Sequence, residues 1–334
     1  MAFSPEDRKH AELFHPYLLN EVDRIEQKNI RFVHYTSADA AVKILKGGSI
    51  WLRQTTLMND RREVEHGLDC LRAAYQSPDG QRIRNLFNSV YSGLTEEIEK
   101  HMNDHWQMLI MGTFVACFSE HGGTLWDAPD RDHQEDIFGR LSMWRAYGRG
   151  SGVALVLNNK PLMSPTQATS ILTGPVAYML PAQMVNEFKR IADGLEKNLD
   201  YLKNRGREKT LNSILSMMET AAVSTKHPGF SEEREWRAIS LARLPMKRIE
   251  QTLETIGGIP QHVQSVRLQS VAEEGLIGLD LADLISRVII GPTEAGPAIH
   301  RALWDAMEAA KIADVSKKLV FSDLPLRGPI SAVG

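Results

Sequence analysis

The stretch GFSEEREWRAIS, from Gly229 to Ser240, sets Glu232, Glu233 and Glu235 beside Arg234, Trp236 and Arg237, and then turns apolar. In a strand, side chains alternate between faces. Glu233, Glu235 and Arg237 would then share one face, and Arg234, Trp236 and Ala238 the other. Two carboxylates held side by side repel, and one of them keeps its proton to higher pH. Such a pair suits acid/base work or the steadying of a cationic transition state. The plainer reading is a strand end on which Arg237 pairs with Glu235.

Three further stretches carry chemically useful residues. FVHYTS places His34, Tyr35 and Thr36 near the end of a strand, with Phe32 and His34 on one face and Val33 and Tyr35 on the other. A histidine in a strand is more often a packing residue than a catalytic one. TLMNDRREVEHG offers Asp60, Glu63 and Glu65 as cleft-lining groups or oxygen ligands, although Asn59-Asp60 also reads as a turn or helix cap. SMWRAYGRGSGVALVL sets Trp144 and Tyr147 three apart, on one side of a short helix. Both would pack in the core, or one would give a flat platform to a nicotinamide or a base.

The elements that must position these residues follow from periodicity and punctuation. Residues 5–28 read as an amphipathic helix ahead of the main fold. IRFVHYTS is a strand, and Ser37 caps a helix that ends at Gly47-Gly48. SIWLRQ, MGTFVACFSE, GSGVALVLN, TGPVAYML, EREWRAISLA, VQSVRLQS, LISRVIIGP and KKLVFSDL read as strands. Two long helices, about 181–204 and 207–225, form an insert that reads as a protrusion. There is no GxGxxG, no P-loop and no internal repeat. The expected class is α+β: a mixed or antiparallel central sheet with packed helices, residues 1–30 as a helical segment and 31–325 as one domain.

Bulk properties narrow the function. The 334 residues carry a net charge of -3, with 24% charged and 43% hydrophobic residues. That balance gives no overall basic field for nucleic acid. Cys70 and Cys117 have no metal-ligand spacing, and Cys117 reads as a core residue, which fits a reducing compartment. No apolar run is long enough to cross a membrane, and the N-terminus lacks a secretory pattern, so a cytoplasmic protein is expected.

Five segments in order resemble the bacterial family known as domain of unknown function 2971. They are HYTSADAAVKILKGGSIWL, MNDRREVEHG, CFSE with MWRAYGRGSGVALVL, FSEEREWR and RVIIGP, spanning about residues 32–295. That family is in turn similar to the ADP-ribosyltransferase fold, which implies a split sheet and NAD as substrate, with no metal needed. The resemblance implies His34 as the residue holding a ribose of NAD, Tyr147 or Trp144 as the aromatic on nicotinamide, and Glu235 as the carboxylate at the reacting ribose. Glu233 would complete an E-x-E pair. Tyr35, Thr36 and Arg237 would line the nucleotide. The middle element lacks the common Ser-Thr-Ser triplet. Toxins and phage-defence effectors are among proteins of this sort, so an antitoxin or a macromolecular acceptor enters as an implied partner. Two rivals stand beside this reading. One is a metal-dependent nuclease using Asp60, Glu63, Glu233 and Glu235. The other is a sensor that binds a nucleotide without turning it over.

Overall fold

The computed structural model describes residues 3–57, 63–122, 131–148, 150–164, 166 and 168–325. Its strands are β1 (Arg31–Ser37), β2 (Ser49–Gln54), β3 (Phe114–His121), β4 (Gly152–Leu157), β5 (Leu172–Pro175), β6 (Ala177–Tyr178), β7 (Thr225–Lys226), β8 (Glu235–Ser240), β9 (Ile249–Ile256), β10 (Ile259–Arg267), β11 (Ile285–Ile290) and β12 (Leu319–Phe321). Ten of them form one sheet, antiparallel except for the β11–β12 pair; β6 and β7 make a separate parallel pair. The α+β class holds.

The sheet branches at β3. On one edge β3 pairs with β8 from Phe114 to Ser119, and β5 lies beyond β8. The other edge is shared. β1 takes its end, Arg31 opposite His121 to Val33 opposite Ser119, and β2 takes its start, Arg53 opposite Val115 and Gln54 opposite Phe114. From β1 one arm runs through β4 and β11 to β12; from β2 the other runs through β10 to β9. Between the arms, the His34 ring reaches across, Nδ1 lying 2.9 Å from the Cys117 carbonyl oxygen.

Each face buries its own core. Phe32, Phe118, Trp236, Leu155 and Ile290 lie on one face, under the helices Pro16–Gln27, Ala38–Gly47 and Gly296–Ala309. The sequence reading has one helix over 5–28. Pro16 cannot donate a backbone hydrogen bond, and the chain breaks there into Pro5–Phe14 and Pro16–Gln27. Ser37 caps the next helix through its hydroxyl, and Gly48 closes it in the left-handed conformation, as expected. On the opposite face, Val115, Ile239 and Leu241 pack under Glu63–Gln76, Pro78–Val90, Leu94–Gly112, Pro181–Glu196, Leu199–Arg205 and Arg207–Val223.

The helices after residue 180 are therefore no protrusion. Leu195, Ile214 and Ala222 are buried, and a Cβ on Gly67 would meet the Ala222 carbonyl oxygen at 2.0 Å. So close an approach of two helix backbones needs glycine. The hairpin β9–β10 turns at Gly257-Gly258, both at positive φ; VQSVRLQS reads as a strand and is β10, whereas β9 is not read from the sequence. No described helix is long and apolar enough to cross a membrane.

Candidate functional site

The EREWR segment does not run as a strand from its first residue. Pro228–Glu233 is a 3-10 turn, and Arg234 takes a left-handed conformation, φ 45, before β8 begins at Glu235. That conformation is uncommon for a residue with a Cβ, and here it redirects the chain into the sheet. Strand alternation thus holds for Glu235 and Arg237 but does not extend to Glu233. The two carboxylates still meet, by another route. Lys226, from β7, puts Nζ 2.7 Å from Glu233 Oε2 and 3.1 Å from Glu235 Oε2. Arg237 Nε donates to Glu235 Oε1 at 2.8 Å, and its Nη1 donates to the Val223 carbonyl.

These groups are deeply placed. The side chains of Lys226, Glu235 and Arg237 are 6%, 5% and 3% exposed. Burial pushes the Glu235 carboxyl above its ordinary range, with the Lys226 ammonium opposing the shift. Burial alone would lower Lys226, but Glu235 and Glu233 reverse it and hold the amine charged. Burial lowers Arg237 to about 10.

Around this cluster stand Tyr147, whose hydroxyl donates to Glu233 Oε1 at 3.4 Å, and Tyr178, whose hydroxyl accepts from the Glu235 backbone N–H at 2.8 Å. The Phe230 ring lies 4.9 Å from the Lys226 ammonium. The Cys117 thiol lies beside Glu235; burial, then Glu235, keeps that thiol far from ionising. Cys117 is therefore no plain core residue. His66 and His227 meet edge to face at 5.5 Å just beside Lys226, so the helix after MNDRR reaches the same place.

Not every expected residue joins them. Val33 is opposite Ser119, and Ser119 is opposite Glu235, so these three share a face and His34 lies on the other. The His34 ring is among Ile44, Ile50, Phe118 and Leu155, beside an apolar cavity, with its pKa lowered by burial. Thr36 alternates with it onto the same face. His34 and Thr36 thus cannot share a ligand-contacting surface with Glu235 in this arrangement. Tyr35 is on the Glu235 face, but its hydroxyl accepts from the Arg140 N–H at 2.8 Å and its ring packs edge-on against Trp144.

Trp144 is a packing residue. It is 5% exposed, and its Nε1 donates to the Phe138 carbonyl at 2.7 Å. A Cβ on Gly139 or Gly291 would come within 2.6 or 2.8 Å of the indole, so the chain leaves side chains out to seat it. The Trp144–Gly148 turn is a π-helix, with a wider turn than an α-helix, which parts Tyr147 from Trp144 and sends it to Glu233. Asp60 lies outside the described residues, as does the Glu63 side chain. Among the described residues no cluster of three or more metal-ligating side chains forms.

Sequence reasoning missed Lys226, Tyr178, Cys117, His66 and His227. Cys117 and His66 stand inside quoted motifs. Lys226 carried no local signal, because only the β6–β7 pairing brings it under Glu235.

These observations define an α+β protein with a branched sheet and a buried, charge-rich cluster on one face. Residues 143–238 match the model of a family described as Protein of unknown function (DUF2971). The segment runs from the start of the Tyr147 turn into β8 and contains Tyr147, Lys226, Glu233, Glu235 and Arg237. No curated protein and no solved structure matches the chain.

Proposed function

We propose that the Glu233–Glu235 cluster is a catalytic site that cleaves the nicotinamide N-glycosidic bond of NAD. ADP-ribose passes to water or to a macromolecular acceptor. The observation that carries this reading is the meeting of Tyr147, Glu233 and Glu235 around Lys226 on one face of the sheet.

In this reaction the C1′–N bond breaks, and its electron pair leaves with neutral nicotinamide. The ribose is left as an oxocarbenium-like cation. Glu235 is the group to stabilise that cation through the 2′-hydroxyl, and Glu233 the group to take the proton of the incoming nucleophile. Tyr147 offers its ring to the leaving base. Both oxygens of Glu235 are engaged at rest, by Arg237 and Lys226, so the ribose hydroxyl has to share or displace the ammonium. His34 has no part in this scheme. A role in defence or as a toxin enters only with the resemblance to ADP-ribosyltransferases.

One observation favours a second reading, a nucleotide-binding sensor without turnover: Glu235 is sealed and doubly ion-paired, as a structural carboxylate would be. The nuclease reading is weaker, since Lys226 already sets a cation between the two carboxylates. The experiment is NAD consumption by the purified protein in chelator, with Glu235→Gln alongside. The catalytic reading expects turnover by the parent chain and a loss of about 100-fold to 1000-fold in the variant. Nucleotide binding without any turnover would leave the sensor.

A further inference from the structure

Two residues along β3 from Ser119, roughly 7 Å by strand rise, the same face ends in a second charged group. Its centre is Glu135, on the helix Arg131–Phe138. Glu135 Oε2 accepts from the Gly122 backbone N–H at 2.9 Å, and Oε1 pairs with an Arg234 Nη2. Arg140 Nε lies 3.5 Å from Oε1, and His121 Nδ1 lies 4.0 Å from Oε2. Beside it, Asp136 Oδ1 takes His121 Nε2 at 2.8 Å, Arg31 at 2.6 Å and Arg287 at 3.8 Å. Among the described residues, four guanidiniums from separate elements thus face two carboxylates of one short helix.

The fit is incomplete. His121 is 1% exposed, yet its Nδ1 has no hydrogen-bond partner, and neither has Arg140 Nε. A neutral His121 that donates through Nε2 to Asp136 turns a bare Nδ1 lone pair toward the Glu135 carboxylate, acceptor facing acceptor. A backbone N–H and the guanidinium N–H groups of Arg234 and Arg140 are a usual donor set for a tetrahedral oxyanion, and the bare His121 nitrogen beside them is an acceptor for a protonated one. A carboxylate has two oxygens for them. A phosphate has one more for Arg140 Nε, and as a monoanion its P–O–H can donate to His121 Nδ1.

We propose that this corner is a phosphate-binding site, held closed in this structure by the chain's own Glu135. The ligand is the phosphate group, whether free or carried by a nucleotide. Entry displaces Glu135 and moves the Arg131–Phe138 helix. Arg140 also donates through Nη1 to the carbonyls of Glu232 and Glu233, at 3.0 and 3.2 Å, so the site adjoins the Glu233–Glu235 cluster. It does not depend on the reaction proposed there, and a binding measurement tests it without turnover.

The test is calorimetric titration of the full chain with inorganic phosphate, pyrophosphate and ADP-ribose. Glu135→Gln and Glu135→Ala remove the competing charge, and each is expected to bind inorganic phosphate at least tenfold more tightly than the parent chain. Adding Arg234→Gln to either variant should abolish the gain. A gain that survives in the double variant, or no gain in a folded single variant, overturns the proposal. Tighter binding of ADP-ribose than of inorganic phosphate assigns the site to a nucleotide; equal binding assigns it to the free ion. If neither Glu135 variant folds, hydrogen exchange on the parent chain decides. Saturating pyrophosphate should speed exchange in residues 131–138, and unchanged exchange there overturns the proposal.

Discussion

His34 and Glu235 lie on opposite faces of the sheet, and Cys117 touches both. Its carbonyl lies 2.9 Å from His34 Nδ1, and its thiol meets the Glu235 carboxylate on the other side. The carbonyl sits where β1 and β2 part, so the imidazole stands in for a missing strand partner. His34→Ala should therefore lower stability by about 1 kcal/mol, the worth of one hydrogen bond. Any NAD turnover by the folded variant should stay within about twofold of the parent. Urea denaturation and steady-state rates check the two halves; a large fall in turnover with unchanged stability would return His34 to the site.

Lys226→Met should be costly. It removes the cation shared by the buried Glu235 and the half-buried Glu233, and breaking a buried ion pair typically destabilises by about 3–5 kcal/mol. Without the ammonium, Glu235 is left with a higher pKa still. The stability deficit should accordingly be largest at neutral pH and shrink in acid, where Glu235 is uncharged in both proteins. Chemical denaturation at pH 7 and pH 4 makes the comparison.

Gly291→Ala drives a methyl group into the Trp144 indole, 2.8 Å away. Overpacking of this kind costs about 1–3 kcal/mol. Because the Trp144–Gly148 turn carries Tyr147, near-ultraviolet circular dichroism should change together with the melting temperature. A variant as stable as its parent would show that the indole has room to move.

Asp136 contributes to the acid limb of stability. Burial would raise its pKa, but the hydrogen bond with His121 and the charge of Arg31 win and hold it at about 2, against an ordinary 3.8. Its contribution is complete above the ordinary value and disappears as pH falls from about 4 toward about 2. Asp136→Asn should be less stable at neutral pH and show a flatter loss over that window. Denaturation midpoints between pH 2 and pH 6 measure it.

Local pattern gave much of this molecule away. Ser37 and Gly48 mark their helix by side-chain chemistry alone, and the buried runs of β3, β4 and β11 are plain in the sequence. The alternation of Phe32 with His34 was also legible. Which face of β8 those residues would share was not, because it depends on two registers, Val33 with Ser119 and Ser119 with Glu235, set by contacts distant in sequence. Glu233 shows the converse. It joins Glu235 although the alternation that suggested it stops at Arg234, and a lysine with no motif of its own makes the connection. The β9 strand is not legible in the sequence because its residues are mostly polar, IEQTLETI, and alternation gives it no apolar face.

That strand has a consequence for how molecules of this chain meet one another. β9 ends its arm of the sheet, eight residues long, and among the described residues no strand pairs with its outer row of backbone donors and acceptors. Such an edge invites a neighbouring chain to add a strand. Here Glu250 stands exposed and Glu254 half-buried along it, and a second copy pairing antiparallel about Thr252 would bring the same acids against them. The like charges discourage filament growth from this edge, and that protection should weaken in acid, where the carboxylates are neutral.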